Sequence, residues 1–534
     1  MKQTRITLLL LWSVVLITTA SCSRNNADFV LMNGNIFTSD TAQLYAQAVA
    51  IKGNKIMAVG TNEEIEKFVS NETKRIDLKG KTVVPGFNNA HDHLGWFAPI
   101  GKRYSYWDFL SDGLDKTAVL DSVSRLVQLA KPNQWISGFI GNKILNDGSV
   151  RHALDSIAPN HPVVLFIWWG HGMVANTRAL ELAGLSDELT DPIGGWYERT
   201  DESGRITAIH QNAQLPLWNA WLISEPDVLV KDIQTYAQEE LRGGITTLQQ
   251  MSSTLNGSES VRIFKEADLP IRLRVIAWPH STSQERKLRE WDLTDQQPSA
   301  LTYFSGIKYT IDGTPLEGNA LRTKPYPGRP DWYGRLNYPV DTMRQIFKEA
   351  LTSNRQLMMH ITADSSFSVV LSMMQEAGTG EQWRSKRVRI EHNCVGIVSQ
   401  DQRKVLKDLG IIMMHTPKFC MGGSLRSMLD DGIVVGIAPD GTTNPFFDIM
   451  MLTTGAEIPG ENLTREQAVI AFTRTNAYAE FKETEKGTLM PGMLADLAVL
   501  SQDIFTIPAD QLPATKSQLT MVDGKIVYEN VELK

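Results

Sequence analysis

The chain has 534 residues, of which 42% are hydrophobic and 21% charged, an ordinary composition for a soluble globular enzyme. This length exceeds that of one small domain and indicates two or three structural units. The formal net charge is -7, and the lack of a basic block in the sequence argues against nucleic-acid binding.

The first 21 residues have the pattern of a secretory signal peptide. Lys2 and Arg5 precede an apolar stretch at residues 8–17, which is too short to span a bilayer. The following Thr19-Ala-Ser-Cys22 resembles a bacterial lipobox, although leucine is commoner than threonine three places before the cysteine. Acylation of Cys22 would anchor the protein to the bacterial cell envelope, in the periplasm or on the outer-membrane face. The alternative is a plain signal peptide and a soluble secreted or periplasmic protein.

Two cysteines follow this leader, Cys394 and Cys420. They can form one disulfide at most, so the chain is not a disulfide scaffold. We expect both to be buried free thiols.

The two ends of the mature chain are predicted to build one small β-sandwich domain from residues 27–84 and 486–534. The turns Asn33-Gly34 and Asp523-Gly524 each separate short apolar runs, which is typical of β-hairpins. Between these ends the chain is expected to form a larger domain over residues 85–485.

The middle of the chain alternates short β-branched or apolar runs with stretches long enough for a helix. Ser399–Leu409 is predicted as one such helix, because Ser399 can cap its start and Val405, Leu406 and Leu409 share one face. Eight strands alternating with helices predict an α/β fold, a (β/α)8 barrel of the TIM type. The predicted strands are Thr82–Phe87, Thr246–Met251, Arg272–Trp278, Gly306–Asp312, Gln356–Thr362, Arg387–Asn393, Ile411–Pro417 and Val434–Asp440.

The gap between the first two predicted strands is too long for one crossover helix, so we predict a large insertion after the first strand, at about residues 95–235. Most tryptophans of this insertion should build its own core, while one or two could line an apolar substrate pocket. The tryptophans concerned are Trp96, Trp107, Trp135, Trp168, Trp169, Trp196, Trp218 and Trp221.

His91 and His93 follow the first apolar run. Alternate side chains on an extended strand point the same way, so the two imidazoles can face one metal ion. Imidazole suits zinc and its neighbours among the transition metals. A bare His-x-His pair is a weak signal, because most such pairs arise by chance or lie on the surface.

Four further residues strengthen this signal, because they lie on other predicted strands. His360, His392 and Asp440 lie at or near the ends of the fifth, sixth and eighth strands, where barrel enzymes carry their chemistry. Lys308 lies within the fourth strand, where a buried ammonium is costly unless it is paired or modified. Taken singly, each histidine could be a core residue and Asp440 a helix cap.

In order and spacing, the motifs around these residues resemble the metal-dependent amidohydrolase superfamily, specifically amidohydrolase family 3, the YtcJ-like branch. The resemblance covers nearly all of the mature chain. Its motifs are Pro85-Gly-Phe-Asn-Asn-Ala-His91-Asp-His93, Gly306-Ile-Lys308-Tyr-Thr-Ile-Asp312, Met359-His360-Ile-Thr-Ala-Asp364, Arg389-Ile-Glu-His392, Pro439-Asp440 and the segment Gly170–Leu180.

The resemblance implies a role for each matching residue. His91 and His93 would bind the more buried of one or two divalent metal ions, zinc being the expected metal. His360 and His392 would hold a second ion, and Lys308, carboxylated by CO2 in some members, would bridge the two. Asp440 would contact metal and act as the proton-transfer base.

The chain departs from the family pattern at a few positions. Asn89 stands where many members carry aspartate, and Ala438-Pro439 precede Asp440 where Gly-Ser is common. Gln211 or Asn212 matches a place where relatives carry glutamate. These changes leave the predicted ligands intact and bear on substrate placement and metal count.

The implied function is hydrolysis of a non-peptide amide-type carbon–nitrogen bond in a small molecule by metal-activated water. Asp440 would accept the proton of the water and return it to the leaving nitrogen. Glu391 or Asp364 could orient an imidazole, and His171 of the insertion could contact the substrate.

Other functions stay open at this point. The same ligands could serve a deaminase, an isomerase or an esterase, and an amidohydrolase fold without activity could serve as a lipid-anchored binding or structural protein. The oligomeric state is also open, with a homodimer as one option.

Overall fold

The computed structural model describes residues 26–104, 112–200, 202–293, 295–441 and 444–530. The predicted leader, Cys22 and Trp107 lie outside these residues. Among the helices of the described part, none is long and apolar enough to cross a bilayer.

Eight parallel strands form a nearly closed barrel, as the sequence predicts. They are adjacent in chain order, and the amide N–H of Asp440, after the last strand, donates to the carbonyl of His91 in the first at 3.2 Å. The strands are β1 (Phe87–Asp92), β2 (Ile245–Met251), β3 (Arg272–Ala277), β4 (Thr302–Thr310), β5 (Leu357–His360), β6 (Arg389–His392), β7 (Ile412–His415) and β8 (Val435–Ile437).

Helices follow or precede most barrel strands. The predicted helix after β6 spans Gln400–Leu409, and Ser399 and Gln402 cap its start reciprocally, each side chain accepting from the amide of the other. Its buried residues are Leu406 and Leu409, which confirms the predicted apolar face. The other helices of the barrel region are Pro226–Arg242, Gly257–Ala267, Val340–Thr352, Asp364–Ala377, Gly380–Arg384, Leu425–Asp430, Pro445–Thr454, Arg465–Ile470 and Asn476–Ala479.

The predicted first strand, Thr82–Phe87, is wrong in its bounds. Thr82–Pro85 belongs to another sheet, and the barrel strand begins at Phe87. The two are separated at Gly86, where an added Cβ would lie 2.1 Å from Oγ1 of Thr246. The chain therefore changes sheets where only glycine fits against β2, and His91 lies on the strand rather than after it.

Two sheets outside the barrel pack face to face. Their shared core includes Leu31, Val49, Val83, Leu497 and Met521, so it draws on both ends of the chain. The six-stranded sheet contains, in order, Lys525–Glu529, Ser517–Val522, Leu497–Leu500, Thr82–Pro85, Asn35–Phe37 and Tyr45–Ala46. The four-stranded sheet contains Lys55–Gly60, Ala48–Lys52, Phe29–Met32 and Lys74–Asp77, with the helix Asn62–Glu66 beside it.

A further six-stranded sheet lies between β1 and β2 in the sequence. Its strands, in order, are Gly195–Glu198, Ala208–Gln211, Gly172–Ala175, Val163–Ile167, Ile136–Ile140 and Lys102–Tyr104. Its helices are Lys116–Leu129, Asn142–Leu145, Val150–Ile157, Thr177–Leu182 and Leu215–Leu222. Trp218 and Trp221 are buried and stack around Phe166, so these two tryptophans serve the core.

Cys394 and Cys420 are joined in a disulfide, with their Cα atoms 4.6 Å apart. The expectation of two free thiols is therefore wrong. The two residues follow β6 and β7, and the adjacency of these strands brings together cysteines that are 26 residues apart in the sequence.

Arg272 at the start of β3 links the barrel to the strands of the C-terminus. Its guanidinium donates to Asp496 at 2.6 Å and to Asp523 at 2.9 Å, and the side chains of Arg272 and Asp496 are 13% and 4% exposed. Burial opposes the charge of Arg272, but the two carboxylates outweigh it and raise the pKa of the guanidinium. These ion pairs are therefore largely shielded from water, and removal of one partner is expected to lower the free energy of unfolding.

We expect Arg272→Met to lower the free energy of unfolding by about 3 kcal/mol, because it leaves Asp496 buried without its counter-charge. Urea titration followed by circular dichroism measures this loss. Arg344→Met is the matched control, because Arg344 pairs with Asp341 at 2.9 Å on the exposed surface and should cost less than about 1 kcal/mol. Equal losses of stability in both variants would contradict a stabilising role for the ion pair of Arg272 with Asp496.

Candidate metal centre

Nitrogen and oxygen atoms of His91, His93 and Asp440 converge at the carboxyl end of the barrel. One ligand atom from each of these residues lies within 4.8 Å of the others. Oδ1 of Asp440 is 3.9 Å from Nε2 of His91 and 3.6 Å from Nε2 of His93. The pleat of β1 and its continuation turns both imidazoles toward the residue that follows β8, as the i, i+2 spacing predicts.

The hydrogen bonds of these two imidazoles assign their tautomers. Nδ1 of His91 donates to the carboxylate of Glu391 at 2.8 Å. Nδ1 of His93 lies 2.8 Å from the hydroxyl of Ser253, which can accept or donate, and 3.2 Å from the carbonyl of Met251, which can only accept. The proton of each neutral ring is therefore on Nδ1, and each Nε2 presents a lone pair toward Asp440. Such an arrangement is typical of histidines that bind a metal.

His360 and His392 lie next to this pair at the ends of β5 and β6. The ring of His392 is 4.8 Å from that of His91 and 4.5 Å from that of His360, between centroids. Nδ1 of His392 is 3.7 Å from Oδ2 of Asp440, and Nε2 of His360 lies 3.3 Å from the carbonyl of Gly313. Three of the four histidines, His91, His93 and His392, thus lie within 3.9 Å of the Asp440 carboxylate, and His360 packs against the ring of His392.

Burial keeps these histidines neutral. Desolvation, assisted by the charge of Lys308, lowers the pKa of His93 to about 3 and that of His91 well below its usual value. Desolvation likewise lowers the pKa values of His360 and His392 well below the usual range. Neutral imidazole is the form that binds metal, so the donor set fits a divalent ion.

Lys308 lies on β4 with its side chain fully buried at the same centre. Its Nζ is 3.3 Å from Nε2 of His91 and 5.6 Å from the ring of Trp278. Burial lowers the pKa of Lys308 to about 8, against the opposing charges of Glu391 and Asp440. The lysine therefore has an unusually large neutral fraction near pH 8.

Asp440 combines a constrained backbone with a shifted acidity. Its φ is 55°, a left-handed conformation that is uncommon for a residue other than glycine. Burial raises the pKa of its carboxyl group to about 6, while the charge of Lys308 opposes the rise. The carboxylate is therefore a stronger base than a solvated aspartate and is still ionised at neutral pH.

Behind His91 lies a buried ion pair. Arg389 donates to both oxygens of Glu391, at 2.7 and 3.0 Å, and also to the carbonyl of Ala90 and to Gln249. Burial favours the neutral form of Glu391, but the charges of Arg389 and Lys308 outweigh it and lower its pKa. Glu391 therefore orients an imidazole, whereas Asp364 accepts from Thr323 instead.

Asn89 separates two buried acids next to the histidine pair. Its Nδ2 donates to Asp92 at 3.0 Å and to Glu240 at 3.3 Å, while its Oδ1 accepts from the amide of His91. Burial raises the pKa of Asp92 to about 7 and that of Glu240 well above its usual value. An aspartate at position 89 would place a third buried acid beside Asp92 and Glu240. The amide of Asn89 avoids this repulsion and donates a hydrogen bond to each of the two acids.

His171 reaches the centre from the inserted sheet. Its ring is 4.9 Å from that of His360, and its Nδ1 is 3.3 Å from Oε1 of Glu317. The same carboxylate oxygen accepts from Gln211 at 3.0 Å. Gln211 therefore shares a hydrogen-bonding partner with His171. Asn212 instead accepts a hydrogen bond from the indole of Trp278 and helps to fix the position of that ring.

Two tryptophans form an apolar wall near His93. The centroid of the Trp96 ring is 4.9 Å from that of His93, and the centroid of the Trp278 ring is 6.2 Å away. Trp96 is one of the predicted insertion tryptophans. Trp278 was missed as a site residue, although its place at the end of a predicted strand was a usable signal. Glu317 was also missed, because nothing in its loop sequence marks it.

Comparison with known proteins assigns the family. The amidohydrolase family profile matches residues 74–528. The N-substituted formamide deformylase of Arthrobacter pascens is 27% identical over 94% of this chain and 98% of its own length. Protein LONG AFTER FAR-RED 3 of Arabidopsis thaliana is also 27% identical, over 94% of this chain and 92% of its own.

A solved structure shares the fold. The uncharacterized metal-dependent hydrolase from Pyrococcus furiosus superimposes with a TM-score of 0.65 at 20% identity, covering 90% of this chain and all of that one. Family, fold and donor set agree. The chain therefore belongs to the amidohydrolase family and is a metal-dependent hydrolase that acts on carbon–nitrogen bonds.

Proposed function

We propose that this protein hydrolyses small N-substituted formamides or similar linear amides, and that zinc is its metal. The observation that carries the proposal is the convergence of the unprotonated Nε2 atoms of His91 and His93 on the Asp440 carboxylate. Two imidazoles and one carboxylate form a donor set that zinc favours.

The proposed ligands divide into two groups. His91, His93 and Asp440 would hold the first ion, while His360, His392 and a carboxylated Lys308 would complete a second position. An ion held there would polarise the substrate carbonyl and lower the pKa of water. The lowered pKa of Lys308 supports its carboxylation, because CO2 reacts with the neutral amine.

Asp440 is the proposed proton carrier. Its carboxylate, ionised at neutral pH, takes a proton from the attacking water and delivers it to the nitrogen as the carbon–nitrogen bond breaks. His171, held by Glu317, is the proposed contact to the substrate on the opposite side of the centre. The rings of Trp96 and Trp278 would exclude water from one wall.

The substrate class rests on two considerations. The relative from Arthrobacter pascens, similar over nearly its whole length, is a deformylase of N-substituted formamides. The apolar wall of Trp96 and Trp278 beside His93 suits an uncharged alkyl or aryl substituent on the amide nitrogen.

We expect the zinc-loaded protein to release formate and amine from N-butylformamide or N-cyclohexylformamide. Asp440→Asn should lower kcat on the order of 1,000-fold, because it removes the proton carrier. Removal of metal with a chelator should abolish turnover, and zinc should restore it. Formate is measured enzymatically, and zinc by atomic absorption.

Asp401→Asn is the matched control, because Asp401 is exposed and pairs with the nearby Lys404 on a surface helix. Its activity should equal that of the original protein. Release of ammonia from an amino-substituted ring, with no formate from any formamide, would instead favour a deaminase. Full activity in Asp440→Asn would exclude the proposed base.

Glu391→Gln should weaken zinc binding about 10- to 100-fold, because it removes the charge that orients His91. Excess zinc should recover much of kcat, since the variant retains the reacting groups. Competition with a chromogenic chelator measures the affinity. Glu483→Gln is the control, because Glu483 forms a similar bidentate pair with Arg387 away from the centre. Unchanged zinc affinity in Glu391→Gln would contradict the orienting role.

We also propose that Cys22 is acylated and anchors the protein to the bacterial envelope. In a bacterial host the protein should incorporate labelled palmitate and sediment with membranes, whereas Cys22→Ser should lose both properties. Ser23→Ala, a change at the adjacent residue, should retain both. Leader cleavage without palmitate would favour the plain secretory alternative.

A further inference from the structure

A cavity of about 590 Å³ lies apart from the metal centre, between the insertion and the loop that follows β3. This volume is within the range of small-molecule sites. The helices Thr177–Leu182 and Leu215–Leu222 contribute to its walls, as does the segment from His280 to Glu290. Of the residues described, the lining includes none of the six proposed metal ligands.

One wall of this cavity is apolar. Trp135, Leu185 and Tyr197 line it and are largely buried. Leu182 and Leu189 line it as well, yet 47% and 38% of their surfaces are exposed. Large apolar side chains that are exposed together around a concavity are typical of a ligand-binding site.

The opposite corner is polar and incompletely bonded. His280 is 9% exposed, and its Nε2 has no hydrogen-bond partner among the described residues. The hydroxyl of Ser281 likewise lacks a partner in this part of the chain. Two adjacent polar side chains of the cavity lining therefore keep hydrogen-bonding capacity that the described residues do not use.

This corner carries no net charge. Lys287 and Glu290 at its edge pair with each other at 3.6 Å. Burial, assisted by the charge of Lys287, lowers the pKa of His280 to about 4, so its imidazole is neutral at physiological pH. A neutral imidazole and a hydroxyl each offer both a donor and an acceptor, which suits an uncharged head group.

We propose that this cavity is a second binding site, for a small uncharged amphipathic molecule. An aromatic ring or short alkyl chain would lie against Leu182, Leu185 and Leu189, and one hydroxyl or amide group would bond to His280 and Ser281.

Benzyl alcohol is a suitable probe, because it has an aromatic ring and one hydroxyl group and contains no amide to hydrolyse. We expect saturable millimolar binding in saturation-transfer NMR titrations of the purified protein. Ala220→Trp, which fills the cavity from its half-buried wall, should weaken binding at least 10-fold. Ser281→Ala should weaken it about threefold, as the loss of one neutral hydrogen bond does.

Ala153→Trp is the matched control, because Ala153 is equally half-buried on a different helix of the insertion. It should bind the probe as the original protein does. Ala183→Trp, on another wall of the cavity, gives a second filling variant should Ala220→Trp fail to fold by circular dichroism.

The charged analogues benzoate and benzylammonium should bind at least fivefold more weakly than benzyl alcohol. The absence of saturable binding to the original protein would overturn the proposal. Undiminished binding in both filling variants would do so too, because the probe would then lie elsewhere. Equal affinity for a charged analogue would overturn the assignment of an uncharged ligand.

Discussion

The buried ion pair of Arg389 and Glu391 is the interaction on which the centre depends. Both side chains are fully excluded from solvent, where unpaired charges are strongly unfavourable, so each needs the other and the bonds to Ala90 and Gln249. Held in this way, the carboxylate accepts the Nδ1 proton of His91 and leaves Nε2 free. The orientation of His91 is therefore fixed by the Arg389–Glu391 pair in the barrel interior rather than by the loops at the carboxyl end of the barrel.

Much of this arrangement could be predicted from local patterns. Short apolar runs and the intervals between them predicted seven of the eight barrel strands, and polar residues at strand ends indicated the histidines and Asp440. The first strand was misplaced because Thr82–Val84 is as apolar as Phe87 and its neighbours. The two strands are separated at Gly86, which fits closely against Thr246 of β2, and a contact between distant residues leaves no mark on the sequence.

The parts that were not predicted depend on long-range packing. Glu317 lies in an irregular loop and gains its role from Gln211 and His171, which belong to another sheet. The pairing of Cys394 with Cys420 likewise follows from the adjacency of β6 and β7. Periodicity describes which face of an element is buried, but it carries no information on which distant loop will cover that face.

The six-stranded sheet places Thr82–Pro85 directly beside Leu497–Leu500, a strand that is made about 400 residues later. While the polypeptide is being synthesised, this early strand has one unpaired edge, and its apolar side chains lack their cover. The last segment to emerge therefore closes the molecule. Prematurely terminated chains would leave the edge of Thr82–Pro85 unpaired and would be cleaved by proteases more readily than full-length chains.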